Sequence, residues 1–405
     1  MRHVPFWFDS FPKSRRSAFP RFRGEHESQI VVVGGGLTGV SCALAFATAG
    51  IDVVLLEAGL IGGGAAAAGD GLLREGFNVS FHEAVARHGV RTTKALWEGM
   101  RRGSLELAAT LRRHDVRCQA TGMDVLAIAA PRPDAVKALR RDQGARKDAG
   151  ADGSWVPPAA VTRDAAVDSG GAIRTHGLAI DPYRACLGLA AAAAARGATL
   201  HERSAVERIR AAPRQVEITT AAGSVRADAV IVATAAPFRD LIALRRHLTA
   251  TSLYGVVTEP LPAAVRKQLG RRESAIETVA PPHRVVRWLP GERAMVHGGR
   301  QDEVPARLRE RALVQRTGQL MYELSVLYPP ISGLQAEWSW DVVDYETVDG
   351  LPLVGPHRNF PRHLFAFTPA RHGAGLSWAA ARILLRHYQE EGSRADEAFG
   401  FGRIL

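Results

Sequence analysis

Apolar and polar positions along the chain fall into short β-branched runs and longer alanine-rich stretches. Gln29–Gly34 (QIVVVG) predicts a strand buried on both faces, because no polar residue alternates with its valines. Val40–Ala49 predicts an alanine-rich helix stopped at Gly50, and Ile51–Leu56 a second buried strand ending at Glu57. Further helices are expected over Phe81–His114, Pro131–Gly150, Pro182–Arg196, Ala306–Leu327 and about Leu376–Glu391. Strands are expected at Met123–Ala129, Thr199–Glu202, Val206–Ile209, Val216–Thr220, Ser224–Arg226, Ala229–Ala233, Leu253–Thr258, Arg284–Leu289, Ala294–His297 and Leu364–Thr368. There is no internal repeat and no long linker. The fold class is α/β (α+β), with nucleotide-type pieces near both ends and in the middle, so its domains are interleaved.

The first strand–helix–strand unit carries a specific chemistry. Gly34-x-Gly36-x-x-Gly39 fits the dinucleotide fingerprint: Gly34 for the tight turn, Gly36 for close approach of a pyrophosphate, Gly39 for helix–strand packing. Gly35, Leu37 and Thr38 fill the turn, and the helix N-terminus then faces the phosphates. Glu57 follows Gly39 by 18 residues, at a strand end where a carboxylate accepts hydrogen bonds from ribose hydroxyls. The fingerprint serves FAD and NAD alike.

Composition narrows the class. The chain has 405 residues, with 46% hydrophobic and 23% charged residues, an ordinary globular composition that excludes disorder and a small disulfide scaffold. The net charge is +11, and 47 of the 52 basic residues are arginine, scattered rather than gathered on one face. That argues against nucleic acid as a partner. Cys42, Cys118 and Cys186 lie far apart, with neither metal-site nor redox-pair spacing, as in a reducing, cytoplasmic compartment. Met1–Gly24 lacks the apolar core of a secretory signal, and glycines and charges interrupt Ile30–Leu60, so no membrane span is expected.

The C-terminal region separates FAD from NAD by resemblance. Asp349–Pro356 (DGLPLVGP) resembles the D-G-x-P-x-I-G segment of the FAD-dependent D-amino-acid oxidase superfamily, which includes glycine and sarcosine oxidases. Ala370–Ser377 (ARHGAGLS) resembles that family's closing loop before the last helix. Pro5-Phe6-Trp7, Leu56-Glu57-Ala58, Ile61–Gly64, Ile180–Tyr183 and Val232–Ala236 match further family segments in the family's order. The resemblance implies a discontinuous FAD-binding domain (1–85, 165–240, 341–405). It also implies a substrate domain (86–164, 241–340) whose antiparallel sheet roofs the flavin. It adds Ala58, Gly64, Ala65, Gly71, Leu72, Val206, Ala233, Thr234, Gly355, Gly373, Ala374, Gly375 and Leu376 to the cofactor residues. The implied reaction is dehydrogenation of the C–N bond of an amine or amino acid, with hydride passing to non-covalent FAD and then to oxygen or another acceptor.

The departures from the family are informative. Ala65–Ala68 stands where relatives carry a hydroxyl residue, leaving main-chain N–H groups to meet the phosphates. No lysine lies on the Ala294–Arg300 strand, where sarcosine oxidases place one for reaction with oxygen, so a dehydrogenase is open. A flavoprotein with weak or no catalysis is an alternative, as is an NAD-dependent dehydrogenase, which would leave DGLPLVGP and ARHGAGLS unaccounted for. Candidate substrate contacts are Arg287 and Arg300, whose guanidinium forks suit a carboxylate, and Arg371 and His372 in the closing loop. His297 on the roof strand is a proton acceptor of the same kind as His372, and Trp338 and Trp340 are pocket or core residues. No metal site is expected.

Overall fold

The structure, a computed structural model, describes residues 1–234, 241–280, 283–369 and 372–404. Two large sheets organise these residues. In the first, Thr199–His201, Val53–Leu56, Gly24–Val33 and Gly223–Val232 run parallel in that order. Phe360–Phe367 joins parallel to the end of Gly223–Val232. Continuous apolar runs make this possible: Ile30 to Val32 and Val230 to Val232 are fully buried, as a parallel sheet covered on both faces requires.

Helices Leu37–Thr48, Pro182–Ala195 and Gly373–Tyr388 cover one face and share a core with the long helix Phe81–Arg113. Sequence chemistry sets their ends. Ser80 and Glu83 form a reciprocal capping box, and the Asp181 carboxylate accepts the Arg184 N–H at 2.9 Å. Gly89, at φ 77°, kinks the long helix.

The second sheet has nine strands, with Ala336–Thr347, Leu248–Thr258, Arg293–Asp302, Arg284–Leu289 and Ser274–Thr278 as its antiparallel centre. Helix Arg309–Leu327 packs on one face over Leu320 and Leu324.

Several sequence boundaries shift. Ser224–Arg226 and Ala229–Ala233 form one strand, Gly223–Val232, because Asp228 takes an exposed position in an alternating stretch. Ala172–Thr175 pairs into the nine-stranded sheet, as does all of Ala336–Thr347, although the sequence boundaries fall at 165 and 341. Arg2–His3 adds a strand against Trp338 and Ser339. The last helix begins at Gly373, before the expected Leu376.

Candidate active site

A cavity of about 500 Å³ lies at the carboxyl ends of the parallel strands. One end is the fingerprint turn, Val33–Thr38, with Leu56–Ala58 beside it; the other is Gly373–Ala374 at the start of the last helix. Helix Leu37–Thr48 has no side-chain cap at Gly36, which leaves its first N–H groups open to a ligand. A Cβ at Gly36 would meet nothing within 4 Å, whereas a Cβ at Gly39 would stand 1.8 Å from the Gly34 carbonyl. One glycine opens the cavity and the other seats the helix. The Glu57 carboxylate accepts N–H groups of Gly35 at 2.6 Å and Gly59 at 2.7 Å, which fixes it at the cavity wall.

The middle of the wall is Gly69–Gly71, and its conformation is set from outside. Four successive carbonyls are each taken by a different part of the chain. Trp340 Nε1 donates to Ala68 at 3.0 Å and Trp7 Nε1 to Gly69 at 3.0 Å. Arg287 Nη1 donates to Asp70 at 2.6 Å, and the Ile180 N–H to Gly71 at 2.8 Å. Arg287 also donates to the Ile180 carbonyl at 2.9 Å and lies 5.0 Å from the Trp7 ring centroid. Burial lowers its pKa to about 10, against the pull of Asp70 and Asp181. Gly71, at φ 67°, must be glycine, since a Cβ would stand 2.4 Å from the Ile180 carbonyl.

Charged side chains gather behind this wall. Asp70 pairs with Arg74 at 2.9 Å, and Arg74 Nε lies 3.3 Å from Glu277. Burial pushes the Asp70 carboxyl up, but Arg74 and His297 outweigh it and hold its pKa below the usual value. His297 and His372 are both buried, and the His372 ring centre lies 6.5 Å from that of Phe77.

A glycine-lined cavity at a parallel-sheet edge, with an uncapped helix start and a fixed acid, suits a dinucleotide. A family model described as FAD dependent oxidoreductase (DAO) matches residues 29–386. The chain belongs to the FAD-dependent oxidoreductase family. FAD is the cofactor of that family, and the open Gly36 cradle and fixed Glu57 fit it. The chain is similar to γ-glutamylputrescine oxidoreductase of Escherichia coli (strain K12), 25% identical over 91% of this chain and 85% of that protein. Glycine oxidase from Geobacillus kaustophilus shares the fold with a TM-score of 0.74 at 20% identity, over 93% of this chain and 98% of that one. L-proline dehydrogenase from P. horikoshii does so with a TM-score of 0.73 at 18% identity, over 94% and 98%.

The structure brings Gly34–Thr38, Glu57, Ala58, Gly64, Ala65, Gly71, Val206, Ala233, Thr234, Gly373 and Ala374, all expected to meet the cofactor, to this one cavity. Gly39 does not line it; it packs the helix against the strand, the role its place in the fingerprint gives it. Four others expected there are placed differently. Leu72 is buried with Val125 and Val285, and Gly355 stands beside His387. Gly375 and Leu376 lie inside the last helix, where a Cβ on Gly375 would stand 2.5 Å from Ser104 Oγ. That glycine makes room for the long helix rather than for a ring. Arg287 holds the wall through two carbonyls instead of lining the cavity, and Trp340 braces the same segment.

Arg300 lies on the strand Arg293–Asp302, but its side chain, like Ala235, Ala236, Ala370 and Arg371, is outside the described residues. Sequence reasoning missed Asp70, Pro182 and Thr368 as lining residues. The acid preceding Gly71 was the one available signal. No helix among the described residues is long and apolar enough to cross a membrane.

Proposed function

We propose that this flavoprotein oxidises the C–N bond of an amine or amino acid to an imine, which water then hydrolyses. The observation that carries the reading is the single cavity running from the fingerprint turn to the start of the last helix, in a chain of this family. FAD supplies the two-electron acceptor when bound. Gly34–Thr38 and Glu57 hold its dinucleotide end, with main-chain N–H groups of the Ala65–Ala66 turn in place of hydroxyls. The braced Gly69–Gly71 wall and the N-terminus of the last helix set position and electrostatics at the reacting end. His372 and His297 are the candidate acceptors of the substrate ammonium proton, and Arg300 and Arg371 the candidate carboxylate contacts. Arg74 is less suited to that task, since Asp70 and Glu277 already compensate its charge.

The amine-oxidising relative supports the substrate class. The absence of lysine from Arg293–Asp302 favours an acceptor other than oxygen. The test is anaerobic addition of an amine and amino-acid panel to the yellow protein, followed by oxygen or a redox dye. Bleaching by a panel member and faster recovery with the dye are expected. A spectrum that no member bleaches would favour the non-catalytic reading, and equally fast recovery with oxygen would make the protein an oxidase.

A further inference from the structure

A second cavity, of about 660 Å³, lies against the strand Leu72–Arg74. Leu73, Arg74 and Glu75 form one wall, the long helix from Lys94 to Arg112 another, and the turn Ala149–Asp152 closes the end. The size suits a small molecule. Nothing in the flavin chemistry uses it.

Its walls carry both signs of charge. Glu75 is buried, and its carboxyl is pushed up to about 7 by that burial; the Asp152 charge adds to the shift, while Arg146, Arg101 and the Asp152 main-chain N–H oppose it. Arg101 stands one turn beyond Trp97 on the long helix, exposed at the rim, with no ion pair among the described residues. A simple anion would meet Arg101 but would face Glu75. A simple ammonium would meet Glu75 but leave Arg101 without a partner. A molecule with both groups answers each side.

We propose that this cavity is a binding site, separate from the FAD cavity, for a small zwitterion of the amino-acid type. Its ammonium group sits against Glu75, and its carboxylate faces Arg101 at the rim.

The test is equilibrium dialysis of radiolabelled 2-aminoisobutyrate against the FAD-loaded protein. This probe lacks an α-hydrogen, so oxidation at that carbon cannot consume it. One saturable site is expected, with an unchanged visible flavin spectrum. Arg101→Ala and Glu75→Gln should each weaken binding by roughly tenfold or more, the loss of one charge-assisted hydrogen bond. Pivalate and tert-butylamine, which carry one charge each, should compete at least tenfold less well by the same argument. The site is overturned if no saturable binding is found, if both variants bind as the wild type does, or if either singly charged analogue competes equally. A flavin spectral shift tracking saturation would overturn it too, by placing the probe in the FAD cavity. None of these outcomes bears on whether an amine bleaches the flavin, so the two readings fail separately.

Discussion

The two cavities meet successive stretches of one segment, Gly69–Gly71 and Leu73–Glu75, and are built from different materials. The first is lined mainly by glycine, alanine and main chain; its charged lining residues, Glu57 and Asp70, already hold main-chain N–H groups. The second cavity is walled by arginine, glutamate and aspartate side chains from a helix, a strand and a turn. A main-chain site presents fixed dipoles at no side-chain entropy cost and tolerates little change of backbone. A side-chain site is tuned by single substitutions and leaves the backbone ordinary. The largest mutational effects therefore belong to the first cavity and the graded ones to the second.

Gly36→Asp should have the largest effect. A Cβ there meets no protein atom within 4 Å, so the backbone accepts a side chain, but the carboxylate would oppose the pyrophosphate. FAD affinity should fall by roughly 100-fold or more, about 3 kcal/mol, as for a like charge placed across an interface. Flavin absorbance retained through gel filtration reads this directly. A fully yellow variant would move the site away from the fingerprint. Gly39→Ala offers the contrast: its Cβ would lie 1.8 Å from a backbone oxygen, so that variant should fail in folding, not only in binding.

The same contrast explains what the sequence could tell. Gly34, Gly36, Gly39 and Glu57 were legible because a backbone site demands particular residues at fixed spacing within one contiguous segment. Their expected roles agree with the geometry: Gly36 open, Gly39 packed, Glu57 fixed at the strand end. Buried strands such as Ile51–Leu56 were legible for a related reason, since only a two-sided core permits four apolar residues in a row. Gly375 was misread because a glycine beside a ligand and a glycine under a crossing helix look alike in one dimension. The bracing contacts of Arg287 were not legible, for the converse reason. Its partners, the carbonyls of Asp70 and Ile180, are main-chain atoms that no residue type announces. The second cavity draws on residues from 73 to 178, and no local motif joins Glu75 to Arg101.

Arg287 tests whether the wall is as rigid as its four carbonyl bonds imply. Arg287→Ala removes two hydrogen bonds from a buried cation and leaves the Asp70 carbonyl without that donor. A loss of about 2–4 kcal/mol in stability is expected, from the range for buried charge-assisted bonds. Weaker FAD binding should accompany it. Thermal melting and FAD titration, both without substrate, measure these effects. A variant whose melting and FAD affinity match the wild type, but whose KM for a carboxylate substrate rises, would return Arg287 to the substrate.

The smallest effect is the most specific to the second cavity. The Glu75 carboxyl is raised by burial from 4.5 to about 7, so the folded protein binds a proton more tightly there than the unfolded chain does. Stability from this group is therefore complete below pH 4.5, declines as the pH rises, and is gone above about pH 7. A tenfold difference in proton affinity is worth about 1.4 kcal/mol, so the decline is on the order of 3 kcal/mol. Glu75→Gln cannot ionise, and its amide oxygen still accepts a hydrogen bond. The variant should match the wild type near pH 4.5 and exceed it in denaturant stability at pH 8. Adding 2-aminoisobutyrate at pH 8 should narrow the gap, because an ammonium against Glu75 offsets the cost of its charge in the wild type alone. A stability difference that stays flat with pH would mean that Glu75 is hydrated in solution. The deep anion on which zwitterion binding depends would then be absent, while the main-chain cavity would be untouched.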